Sequence, residues 1–92
     1  MGRGQERNSS LRRTWRRRHA NEWASVVYEF ADGLFAGVAK SLSQKEINHQ
    51  NLVVFHEGWS GAMAYADDEV RQQSAHQCTD ACERWEAVFV EP

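Results

Sequence analysis

Trp23 to Leu42, WASVVYEFADGLFAGVAKSL, is the stretch on which the fold turns. Its apolar positions Trp23, Val26, Val27, Phe30, Leu34, Val38 and Leu42 advance mostly in steps of three and four. Glu22, Ser25, Glu29, Asp32, Gly33, Gly37 and Lys40 take the other side, which is the period of an amphipathic helix. The same residues carry strand signals. Val26-Val27-Tyr28 is a β-branched and aromatic run, and Asp32-Gly33 is a hairpin turn signal whose glycine would cost a helix about 1 kcal/mol.

Outward from this stretch, Leu11 and Trp15 continue the apolar stripe toward the N-terminus. Ser9 or Ser10 can cap a helix that begins at Leu11, which puts Arg12, Arg13, Arg16 and Arg17 together on one face. On the C-terminal side, Ser43-Gln44-Lys45-Glu46 fits the capping box of a fresh helix. Apolar positions resume at Leu52, Phe55, Trp59, Met63, Ala66 and Val70. Asp67-Asp68-Glu69 suits an acidic first turn, followed by a terminal helix whose buried side carries Val70, Cys78, Ala81, Cys82, Trp85, Val88 and Phe89.

The helical period therefore predicts a mainly α fold. The form expected is a small helical hairpin or bundle, Ser10 to Leu42 against Ser43 to Val90, completed by dimerisation. Residues 1–9 form a flexible tail and 10–92 a single domain with an Arg-rich first helix. Gly33 and Gly37, four apart, would let a neighbouring helix approach closely. The alternative is an α+β fold with a four-stranded meander, its strands at Trp23 to Phe30, Leu34 to Ser41, Leu52 to His56 and Trp59 to Ala66, joined by Asp32-Gly33 and Glu57-Gly58. Against it, Trp23 and Val27 would share a strand face with Ser25 and Glu29, and the Ala-rich run Ala62 to Ala66 favours helix.

Charge is divided along the chain. Residues 1–19 hold Arg3, Arg7, Arg12, Arg13, Arg16, Arg17 and Arg18 against Glu6, a balance of +6, and the remainder stands at −8, leaving the net −2. Such asymmetry marks an interaction arm. The apolar share of 41% is too high for a disordered chain, and 92 residues make one small domain whose stability can depend on a partner. No apolar run reaches the length of a membrane span and the start does not read as a signal peptide, so a cytoplasmic protein is expected. An Arg-rich, acid-poor start also fits a transit peptide, but the Trp-rich continuation suits that poorly. Cys78 and Cys82 are too few for a disulfide scaffold.

The candidate nucleic-acid-binding residues are Arg12, Arg13, Trp15, Arg16, Arg17 and Arg18. Guanidinium groups fork onto phosphates, and an interleaved indole can stack on an unpaired base. The competing explanation is that the arm docks on the acidic body of its own chain or of a second copy, with Trp15 as core. A protein-interaction face at Glu22, Glu29 and Asp32 is the alternative function. Glu46 and His49 have the spacing of a carboxylate–imidazole metal pair but lack a second such motif, and Glu46 already has a capping role. His76, Cys78 and Cys82 do not share a helix face, and core packing accounts for the thiols. Asp67-Asp68-Glu69 could hold Mg²⁺, although a helix start explains it more simply. His19, His49, His56 and His76 lie in no nucleophile or phosphate motif, so the expectation is a non-enzymatic binding protein without metal or cofactor, self-associating as a homo-oligomer.

Overall fold

In the computed structural model, residues 10–19, 23–41, 43, 52, 54–74 and 84–91 are described. Four strands and one helix follow in the order β1 (Leu11–Arg18), β2 (Trp23–Phe30), β3 (Phe35–Ser41), α1 (Trp59–Ser74) and β4 (Glu86–Val90). The strands form one antiparallel sheet in the order β3-β2-β1-β4, and α1 packs on β2 and β3. The mainly helical fold is thereby overturned. The Arg-rich segment is a strand, and the halves Ser10 to Leu42 and Ser43 to Val90 do not pair as a helical hairpin.

The reason lies in β2, which is buried on both faces. Val27 packs with Ala62 and Ala66 beneath α1, while Val26, Tyr28 and Phe30 form a second cluster on the opposite face with Ala36. A strand flanked on both sides loses its simple alternation, because both parities become apolar. Its residual spacing then imitates a helix. The polar residues that argued against a strand have partners on the helix side. Ser25 is bonded to His19 and Asp67, and Glu29 accepts from the Trp15 indole.

The β2–β3 hairpin turns at Ala31-Asp32-Gly33, the three-residue loop that places glycine in the left-handed region. Gly33 has φ of 90°, the Phe30 carbonyl accepts from Gly33 N at 3.0 Å, and Asp32 Oδ1 accepts from Leu34 N at 3.2 Å. Here the α+β alternative is right: β2 and β3 match its first two strands within a residue. Its other two strands are corrected. Trp59 to Ala66 opens α1, and among the described residues of Leu52 to His56 only His56 bridges, through paired backbone bonds with Phe35. β1 and β4, read as helical, complete the sheet instead.

Gly37 explains how closely α1 sits. A Cβ at this position would lie 2.2 Å from the Ala62 carbonyl oxygen, so only glycine allows the helix backbone to rest on β3. The helix–helix approach expected through Gly33 and Gly37 is corrected: Gly37 lies on β3 and admits α1, while Gly33 sits in the β2–β3 turn with nothing within 4 Å of its Cβ position. Val27 and Val70 are at most 1% exposed within this interface.

Other helical expectations fall on different ground. Asp67-Asp68-Glu69 sits in the second half of α1 and not in a first turn. Val88 and Phe89, assigned to the buried side of a terminal helix, are exposed on β4. Ser43 lies in a turn whose amide donates to Ser41 Oγ, and residues 44–50 of the expected capped helix lie outside the described residues. So do the tail 1–9 and residues 75–83, with Cys78, Ala81 and Cys82.

Candidate functional site

β1 is the strand on which the candidate residues converge. It lies between β2 and β4, in register through Arg17↔Ser25, Trp15↔Val27 and Arg13↔Glu29 on one side and Trp15↔Ala87 and Arg16↔Glu86 on the other. Successive side chains on a strand point to opposite faces. The arginines that a helix would gather are therefore divided. Arg13, Trp15 and Arg17 face α1, while Thr14, Arg16 and Arg18 face away. Arg12 is the extra residue of a bulge between Leu11 and Arg13, and it is exposed.

On the helix side each charge meets a partner. Arg17 Nη1 donates to Asp67 Oδ2 at 3.0 Å, with the two side chains only 24% and 28% exposed. Asp67 Oδ1 accepts from Ser25 Oγ at 2.5 Å, and His19 Nε2 lies 2.7 Å from the same hydroxyl and 3.5 Å from Asp67 Oδ1. The proton count fixes the directions. An ionised carboxylate only accepts and a serine has one proton, so Ser25 donates to Asp67 and His19 Nε2–H donates to Ser25. His19 and Ser25 are both buried. Although a serine, a histidine and an aspartate meet, this is not a nucleophile site: Ser25 is fully buried, and Asp67 approaches the histidine from the Nε2 side instead of orienting it through Nδ1. The cluster clamps α1 to the first hairpin.

The indole of Trp15 belongs to the core. Its ring meets Trp59 edge-to-face with centroids 5.5 Å apart, and Trp59 meets Trp85 likewise at 5.7 Å. Arg13 stands 5.3 Å above the Trp15 ring and 3.9 Å from Glu29 Oε1, while the Trp15 indole donates to the same oxygen at 3.5 Å. The indole N–H groups of Trp59 and Trp85 are buried without a hydrogen-bond partner among the described residues.

On the face away from α1, the register aligns Arg18, Ala24 and Lys40 across three strands. At about 4.8 Å between strands, the Cα atoms of Arg18 and Lys40 stand roughly 10 Å apart. Arg16 is one residue pair along the strand, its side chain 40% exposed, and it pairs with Glu86 at 3.6 Å. Lys40 was not among the expected contact residues. The signal that could have found it is the hairpin at Asp32-Gly33, which fixes the register of β3 on β2.

The acidic candidates are drawn apart. Glu29 is occupied by Trp15 and Arg13, Asp32 shapes the hairpin turn, and Glu22 lies outside the described residues. The candidate metal ligands Glu46, His49, His76, Cys78 and Cys82 also lie outside them. Asp67 and Asp68 go to different partners, since Asp68 is bonded to Arg71 and to Gln72. No helix among the described residues is long and apolar enough to cross a membrane. Comparison with protein-family models, with curated proteins and with solved structures finds no match, so the site is read from its own geometry.

Proposed function

We propose that this protein is a non-enzymatic binding module whose partner is nucleic acid, contacted through the phosphate backbone by Arg12, Arg16, Arg18 and Lys40. One observation carries the reading: once Arg13 and Arg17 are matched by Glu29 and Asp67, the remaining arginines of β1 are directed elsewhere, and Glu86 is the one acidic group paired with them among the described residues. Arg12 and Arg18 are exposed, and Lys40 stands across the sheet from Arg18. With Trp15 packed against Trp59, base stacking by that indole drops out of the proposal. What is left is charge without base-edge readout, and such contacts bind with little sequence preference.

The test is fluorescence anisotropy with labelled RNA and DNA oligomers across a salt series. Affinity should fall steeply with salt, and the triple substitution Arg16→Ala, Arg18→Ala and Lys40→Ala should weaken binding at least tenfold. For a single-stranded oligomer it should also lower the slope of log K against log salt by about 2. Binding that ignores the triple substitution, or no binding at low salt, would overturn the proposal.

A further inference from the structure

β4 closes the sheet at one end, and its outer side meets no strand among the described residues. Its sequence, Glu-Ala-Val-Phe-Val, has no charge after Glu86 and no proline, and all five residues are exposed. Val88, Phe89 and Val90 are 44%, 43% and 56% exposed. Edge strands of monomeric proteins are usually blunted by an inward lysine, a proline or a covering segment, because free N–H and C=O groups recruit further strands. At the opposite edge the start of β3 is met by His56, which bridges Phe35 through backbone bonds of 2.9 and 2.7 Å. A bulge sets Val88 out of the ladder with β1 and adds local twist to β4.

We propose that β4 pairs with β4 of a second copy of this chain, antiparallel, so that one sheet runs through both molecules. The charges at the strand ends select this occupant and this direction. Exposed Arg84 precedes β4 and exposed Glu91 follows it. An antiparallel copy brings Arg84 of each molecule toward Glu91 of the other, and two-fold symmetry makes the contact twice. A parallel copy would set Arg84 beside Arg84 and Glu86 beside Glu86. The dyad stands perpendicular to the sheet, so both helices lie on one side and both sets of Arg16, Arg18 and Lys40 on the other. The pairing stands independently of the nucleic-acid proposal, which concerns a face and not an edge.

Sedimentation velocity on the full chain over a concentration series tests it, with far-UV circular dichroism to verify folding. The wild type should pass from monomer to dimer, and Phe89→Lys should hold it as a folded monomer. Arg84→Glu and Glu91→Arg should each weaken the dimer roughly tenfold, because each reverses both symmetry-related contacts. The double variant R84E/E91R should recover to within about threefold of the wild type. A wild type that stays monomeric throughout, or a dimer unmoved by Phe89→Lys, would refute the pairing. Failure of the double variant to recover would refute its antiparallel register.

Discussion

The two sides of β1 carry similar residues and have opposite fates. Arg13 and Arg17 lie under α1 against Glu29 and Asp67, whereas Arg16 and Arg18 lie on the far side with Lys40 in the same region. The side chains are of one type and come from one strand, so composition cannot explain the difference. It comes from phase: from Arg13 to Arg18, odd positions meet the helix and even ones do not. A cationic run can therefore be structural and available at once, with the partition set by a two-residue period.

Removing the helix would break this contrast most severely. Gly37→Val drives a side chain into the Ala62 carbonyl, and the expected loss is about 3 kcal/mol or more, a large part of what a domain this small holds. Urea denaturation measures it. Next comes Asp67→Ala, which strips the acceptor from Ser25 and removes the carboxylate that pairs with the mostly buried Arg17. A loss of about 2 kcal/mol is expected in the same assay. Recovery of most of that loss by the further change Arg17→Met would trace it to the Arg17–Asp67 ion pair and not to the Ser25 bond.

The sharpest comparison uses neighbouring residues. Arg17→Ala should lower stability by about 1 kcal/mol with little change in oligonucleotide affinity beyond that of an overall charge, while Arg18→Ala should leave stability within about 0.5 kcal/mol. Only the second should reduce affinity, by severalfold. Equal effects of the two on both measurements would mean that phase does not divide their roles. The smallest effect is expected at the exposed pair Arg16–Glu86, where Glu86→Ala should change the unfolding free energy by less than about 0.5 kcal/mol.

The sequence made parts of this legible. Asp32-Gly33 and Val26-Val27-Tyr28 announced the β2–β3 hairpin, because a turn glycine and β-branched neighbours act locally. The charge split was also plain. What hid the sheet was burial of β2 on both faces, which erased the alternation that a half-buried strand displays. The Asp67 clamp was concealed for another reason. Its acceptor comes from α1, forty-two positions from Ser25, and only the docking of the helix over Gly37 brings the two together. The short exposed β4 gave no apolar period of either kind, and its Val-Phe-Val run joined by default to the helical pattern before it.

The bulge at Arg12 gives β1 a spare residue. Leu11 opposes Phe30 and Arg13 opposes Glu29, so the two adjacent positions of β2 are spanned by three of β1. Deleting Arg12 would straighten the ladder and leave Thr14 to Arg18 in their present phase. One added residue between Thr14 and Trp15 has no such slack to enter against β2, where Thr14 and Trp15 oppose the adjacent Tyr28 and Val27. It would exchange the inner and outer sets and turn the Trp15 indole away from Trp59 and the helix side. Length variation in this strand is thus tolerated on one side of Thr14 and ruinous on the other.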